Sequence, residues 1–182
     1  LQLPQLDSFS GSIKVGYGRD PNYQEWAPGD IELIEMKMRW NPSDQIRINF
    51  RLNQQNNRRP QDGSLVSSGT VPRLKVEYQL NKSLFLRFVG QYNSSYRDSL
   101  RDSSKDGMPI YFKNSDGTFN RASRQESNSL QTDFLFSYRP TPGTLVFVGY
   151  GSSMTEPQRY RFNSLERKSD GFFIKLSYVY RL

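Results

Sequence analysis

The sequence predicts an all-β protein of about eight antiparallel strands running up and down, and three observations carry that expectation. Period-two alternation of apolar and polar residues recurs along the chain, while helical periodicity is hard to find. Tight, turn-rich connections alternate with long polar ones. The aromatic residues, 14% of the chain, gather near the ends of the alternating segments.

The strands are expected at about 9–18, 31–40, 45–54, 72–80, 83–93, 129–139, 143–152 and 171–182. One face of the second carries Ile34, Met36, Met38 and Trp40, and one face of the third carries Ile46, Ile48, Phe50 and Leu52. The fourth gives Leu74, Val76, Tyr78 and Leu80, and the sixth gives Leu130, Phe134, Phe136 and Tyr138. The last alternates through Phe172, Ile174, Leu176, Tyr178, Tyr180 and Leu182, with Lys175, Ser177 and Arg181 between. The seventh, "TLVFVGY", is apolar on both faces, so its orientation stays open. Gly90 and Gly149 inside strands allow the sheet to bend. The tight connections are "NPSDQ" at 41–45, "LNKS" at 80–83 and "RPTPG" at 139–143; the long ones cover about 19–30, 55–71, 94–128 and 153–170.

Composition narrows what such strands can be. At 182 residues the chain is one domain's length, yet only 35% is hydrophobic, and the mean hydropathy is −0.77. With 12 Phe, 11 Tyr and 2 Trp it is not a disordered chain. There is no Cys, hence no disulfide or thiolate site, and no His, which removes the commonest general base and metal ligand. The net charge of +7 suits an anionic partner without choosing one. No run approaches the ~20 apolar residues of a spanning helix. The chain starts at Leu1, so a trimmed piece is expected, and the missing signal peptide says nothing about export.

Long loops all at one end, with short turns at the other, match a bacterial outer-membrane barrel, as do strands of roughly 9–11 residues. Trp40, Tyr78, Tyr138 and Tyr180 then lie near the short-turn end, and Tyr17, Tyr92 and Tyr150 near the long-loop end, as two aromatic girdles. An even strand number puts both termini in the periplasm. The ending "KLSYVYRL", through Leu176, Tyr178, Tyr180 and Leu182, looks like the signal by which the barrel-assembly machinery recognises its clients, although Leu182 stands where Phe is usual. The expected fold is therefore an antiparallel up-and-down transmembrane β-barrel of about eight strands, or the C-terminal portion of a larger barrel.

The stretches "FSGSIKVGYG", "MKMRWNPSDQIRINFRLNQQ", "LKVEYQLNKSLFLRFVGQYNSS", "LQTDFLFSYRPTPGTLVFVGYG" and "FFIKLSYVYRL" resemble the C-terminal barrel domain of large bacterial outer-membrane proteins. Those proteins carry an N-terminal carbohydrate-binding-like (family 9) β-sandwich, and the barrel domain has no assigned function. The most telling piece is "QYNSS" followed, after a long loop, by "SYRPTPGTLVFVGY". The resemblance implies further barrel strands upstream in a longer chain. It implies no enzyme activity, since the sandwich is absent here.

If the oily face meets lipid, the other face points inward. It carries Lys14, Lys37, Arg39, Arg47, Arg51, Arg73, Lys75, Arg87, Arg139, Lys175 and Arg181 against Glu35, Glu77 and Asp133, with Asn49, Asn53, Gln79 and Gln91 beside them. Two interiors stay open: a solid polar plug, or a wider lumen that attracts anions.

In the loops, Asp116-Gly117 signals a hairpin whose type I′ turn needs positive φ at both residues. Asp98, Asp102, Asp106 and Asp116 lack the ligand order of a calcium loop, so a solvated loop and no metal is expected. Arginines in "NNRRP" and in the fourth long loop offer contacts to lipid and lipopolysaccharide phosphate, or simply to water. "GYGRD" and "GYGSS" lack the strand-to-helix setting of a phosphate loop. The expected function is a non-enzymatic outer-membrane barrel, scaffold or passive pore, with lipid as its partner, no cofactor and no nucleic acid. The alternatives are a barrel enzyme acting on lipid or glycan, without His, and a soluble β protein binding sugar or nucleic acid.

Overall fold

A computed structural model describes residues 7–179. They form β1 (Phe9–Asn22), β2 (Ala27–Ser43), β3 (Ile46–Arg58), β4 (Leu65–Gln79), β5 (Leu84–Arg97), β6 (Tyr111–Lys113), β7 (Phe119–Arg121), β8 (Gln125–Tyr138), β9 (Thr144–Glu156) and β10 (Glu166–Tyr178). Eight of these make one antiparallel up-and-down sheet in the order β1-β2-β3-β4-β5-β8-β9-β10, and β6-β7 is a separate hairpin. Every strand expected from the alternation is present. Among the described residues β1 pairs only with β2, and β10 only with β9. These eight strands are thus an open sheet, not a closed barrel.

The ladder register explains why alternation was so legible. Residues directly opposite in antiparallel strands share a face. One row, Phe9–Trp40–Ile48–Val76–Phe88–Phe134–Tyr150–Phe172, crosses all eight strands and is apolar throughout. Within it the Phe88 and Phe134 rings lie 4.8 Å apart in a tilted pair, a favoured aromatic geometry. The register also orients β9: Val146, Val148 and Tyr150 join the apolar face, while Leu145 and Phe147 stand on the charged one.

Two expectations need correction. The strands are longer than 9–11 residues: β1 runs to 22 rather than 18, and β4 starts at 65 rather than 72. All eight extend at the same end, into segments such as "NQQNNR" and "NSSYR" that are polar on both faces and so carry no period-two contrast. Side-chain ladders hold them instead. Ser68 Oγ donates to Asn56 Oδ1 (2.8 Å), Asn56 Nδ2 to Glu32 (3.1 Å) and Ser94 Oγ to Asn128 Oδ1 (2.7 Å). The long loops shrink accordingly, and the β1–β2 connection, 23–26, is no longer than the tight turn at 80–83. In the β6-β7 hairpin only Gly117 has positive φ (86°), so the turn is not type I′. Asp116 Oδ1 instead accepts from the Thr118 N–H (2.9 Å) and hydroxyl (2.6 Å), an Asx turn.

Gly149 has a packing role more than a bending one. A Cβ there would enter the ring of Phe173, which faces it from β10. Gly149→Val is expected to destabilise by about 1–3 kcal/mol through overpacking. Adding Phe173→Ala should recover most of that loss in a double-mutant cycle followed by urea unfolding. Equal losses with and without Phe173 would show that the ring is not the obstacle.

Little apolar core exists. Among the described residues the buried hydrophobics are Ala27, Val66, Val89, Tyr92, Leu100 and Ala122. Val66, Leu100 and Ala122 form one cluster with Ile110, under the loops rather than between sheets. A soluble monomer of 21.2 kDa would expose roughly 9,000 Å², whereas this chain exposes 12725 Å². The sheet is one layer thick.

Candidate functional site

The ladder register gathers most of the expected cations on one face. Lys37, Arg51 and Arg73 stand directly opposite one another across β2, β3 and β4, and Arg73 donates to Gln91 on β5 (3.0 Å). Arg47 and Arg87 flank Glu77, which is ion-paired with Lys75 at 3.0 Å. Lys14 faces Glu35, Arg39 faces Asn49, and Asn53 continues the face beside Glu35. Asp133 lies between Val89 and Gly151, and Lys175 faces Phe147. Arg139, in the β8–β9 turn, donates to the Lys82 carbonyl, and Gln79, the last residue of β4, to that of Asn81. Arg181 lies outside the described residues. Like charges directly opposite repel, and the Lys37–Arg51–Arg73 row has no carboxylate in its register.

The face is not basic throughout. Phe85, Val89, Leu135, Leu145, Phe147 and Phe173 share it on β5 and β8–β10, so the cations concentrate on β1–β5. A polar interior over all strands was expected; the C-terminal half departs from it.

Towards the loop end this face holds a cleft of about 1050 Å³. Its walls run from Tyr23, in the β1–β2 turn, through Gln55, Asn57, Ser67 and Ser95, to Gln125 and Ser127 on β8. Five ladder steps separate β1 from β8, roughly 24 Å on a flat sheet, and the cleft spans them.

Three connections lock together above the cleft. Glu25, fully buried, receives Arg59 Nη2 at 2.5 Å and Nε at 2.9 Å, a bidentate pair. Arg59 also donates through Nη1 to Asp98 (2.9 Å) and Nη2 to the Ser99 carbonyl (3.1 Å). The Arg101 N–H (3.0 Å), the Ser103 hydroxyl (3.2 Å) and Asn22 Nδ2 (3.4 Å) complete the carboxylate's shell. Burial pushes the Asp98 carboxyl up, but hydrogen bonds from Arg59 and the Ser99 N–H, with the charges of Arg59 and Arg101, leave it below its ordinary value. Burial likewise opposes the Arg59 charge, and Glu25 and Asp98 outweigh it and raise the guanidinium. Asp62 is held at about 2 by the Ser64 hydroxyl, then its N–H, with Arg101 adding to them. The sequence leads one to expect the "NNRRP" arginines to meet lipid phosphate or water; Arg59 is instead buried against Glu25 and Asp98.

The sign of the pH response follows from these directions. Both aspartates are depressed, so their stabilisation is present above their ordinary values near 4 and is lost as pH falls through the folded ones. Arg59, raised, contributes at every pH below its ordinary value of 12.5. Amide exchange at 59–64 and 98–104, corrected for its intrinsic rate, is expected to be flat between about pH 5 and 8 and to rise below about 4. Loosening near neutrality would contradict this account.

A second loop folds over the other face. The Tyr92 hydroxyl donates to Glu156, whose carboxylate also accepts the N–H of Tyr160 (2.9 Å) and Phe162 (2.8 Å). The rings of Tyr160 and Phe162 lie 5.0 and 5.4 Å from that of Tyr92. Tyr92 is therefore buried, unlike the exposed Tyr17, Trp40, Tyr138 and Tyr150; Tyr78 is half-buried. Leu176 and Tyr178 are exposed on β10, and Tyr180 and Leu182 lie outside the described residues.

Among the described residues no three carboxylate ligands gather for a metal. Asp102 and Asp106 accept backbone N–H bonds from Ser104 (3.1 Å) and Met108 (3.0 Å) within their own turns. Glu25, Arg59 and the cleft were not legible in the sequence. Arg59 meets its partners 34 and 39 residues away in chain order, and no local pattern marks such distances. Comparisons with protein families, curated proteins and solved structures found no match to this chain.

Proposed function

We propose that this sheet is wall of a bacterial outer-membrane β-barrel, that its basic face lines the interior, and that it serves as a non-enzymatic, anion-favouring passage. One observation carries this: a single-layer sheet leaves a continuous apolar face uncovered. Phe134, Phe172, Ile174 and Leu176 are all more than half exposed, and no described segment lies over them. Burying that face in hydrocarbon removes the cost of wetting it, while the ionic face turns to water.

Dimensions agree. The apolar stretch runs six residue steps on β3, Ile46 to Leu52, and eight on β8, Leu130 to Tyr138. At ~3.4 Å per step that is roughly 20–27 Å along the strand, against an apolar band of ~25 Å. Beyond it the polar strand ends project as a collar carrying the loops. The edges of β1 and β10, unpaired among the described residues, are then met by further strands of the barrel, with lipid and lipopolysaccharide around the wall. The Lys37–Arg51–Arg73 row supports anion preference, since uncompensated cations on a wetted wall attract counter-ions.

The test is reconstitution. The chain, or the longer one containing it, is expected to fold only with detergent or lipid, to migrate differently before and after boiling, and to conduct across a planar bilayer with a reversal potential favouring chloride. Arg51→Glu with Arg73→Glu should shift that potential toward cations. Clean folding in plain buffer would remove the membrane assignment; insertion without conductance would leave a plugged scaffold.

A further inference from the structure

We infer that the loop-end cleft is a saccharide-binding site. Its chemistry differs from that of the basic band below. Carboxamides from Gln55, Asn57 and Gln125 alternate with the hydroxyls of Ser67, Ser95 and Ser127. Such groups both donate and accept, which is what a ring of hydroxyls requires; an inorganic anion needs donors alone. The cations nearby are largely committed: Arg124 is paired with Glu126 (3.1 Å), and Arg97 donates to Gln125 (2.8 Å).

Two further features point the same way. Asn57 Oδ1 and Arg97 Nε, an acceptor and a donor from one cross-strand row, have no hydrogen-bond partner among the described residues. Buried polar atoms without partners are rare and call for a reason; a hydroxylated ligand that draws both side chains round supplies one. On the floor, nothing lies within 4 Å of the place a Gly69 Cβ would occupy, so a ligand can approach the backbone.

The Tyr23 ring stands at the rim, and Trp26 shares its turn. Tyr23 is 81% exposed and Trp26 65%. Trp26 has φ 47°, a left-handed conformation that is uncommon for a bulky residue and persists where the surroundings impose it. Between them, the buried Glu25 fixes the turn through Arg59, so the rings are held out in water rather than folded down. An exposed aromatic face beside clustered amides suits a pyranose, whose C–H face is apolar and whose edge is polar. The volume is at the upper limit of ligand sites, ~300–1,000 Å³, room for more than one sugar unit. The site's chemistry stands whether or not the apolar face meets lipid.

Saccharide of this kind comes as free oligosaccharide or as the carbohydrate of lipopolysaccharide, and both arms are testable on the full chain folded in detergent. Trp26 fluorescence, in a Trp40→Phe background, would be followed during titration with maltohexaose, with cellohexaose and with delipidated core oligosaccharide, sodium phosphate serving as the anion control. Saturable change with a neutral hexasaccharide assigns a free ligand, and saturation by the core alone assigns the lipopolysaccharide; either supports the site. Tyr23→Ala and Gln125→Ala are each expected to weaken binding at least about tenfold while leaving heat-dependent gel migration unchanged. No saturation with any of the three saccharides, competition by phosphate, or full affinity in both variants would overturn the assignment.

Discussion

Arg59→Ala is expected to cost about 3–5 kcal/mol, the figure for breaking a buried ion pair from one side. The loss comes less from the attraction removed than from the charge left behind. Glu25 is fully buried, and without the guanidinium its carboxylate keeps only the Arg101 N–H, the Ser103 hydroxyl and a long contact from Asn22 Nδ2 (3.4 Å). Asp98 loses its ion-pair partner at the same stroke and keeps the Ser99 N–H. Arg59→Lys should recover little, because a single ammonium cannot reproduce two parallel bonds to Glu25 together with a third to Asp98. The damage should be local: faster exchange and earlier proteolysis at 23–26, 59–64 and 98–104, with strand amides of β8 and β9 still protected. Unchanged loop protection in Arg59→Ala would show that the triad does not hold the loops.

Phe134→Arg is expected to cost about 2–4 kcal/mol in lipid, the figure for a cation near the midplane of an outer-membrane barrel. Phe134 lies at the centre of the apolar stretch of β8, between Phe88 and Tyr150. Phe119→Arg is the control. Phe119 is 62% exposed against 52% for Phe134, so in water Phe119→Arg would fall within about 0.5 kcal/mol of neutral, while Phe134→Arg would also lose the Phe88 ring pair, about 0.5–1.5 kcal/mol. A loss beyond that ring pair needs a hydrocarbon neighbour, which Phe119, in the β6-β7 hairpin at the loop end, lacks. Urea titrations of refolding into vesicles would read the difference. Equal, small effects would move the apolar face out of the bilayer and reopen the question of what covers it.

Legibility in the sequence followed the contrast between the two faces. Where Ile46, Ile48, Phe50 and Leu52 alternate with Arg47, Asn49 and Arg51, strand, phase and shared face could be read directly. Where both faces are amide and hydroxyl, as from Gln54 to Asn57, the strand continues unannounced because backbone pairing needs no apolar signal. The turn at Asp116-Gly117 was visible as a turn, but its type was settled by the Asx bonds to Thr118. β9 was ambiguous for the opposite reason: with apolar residues on both sides, only its register against β8 chooses a face.

By itself the sequence determined the strands, their order of turns and the division into an oily and a basic side, since each rests on periods of two and on turn residues close in the chain. The tertiary structure alone decided how far each strand runs, that Glu25 and Arg59 lock three loops, and that a hydroxyl- and amide-lined cleft opens at one end. These depend on which distant residues come face to face, and a ladder's register is a property of the assembled sheet that no single strand contains.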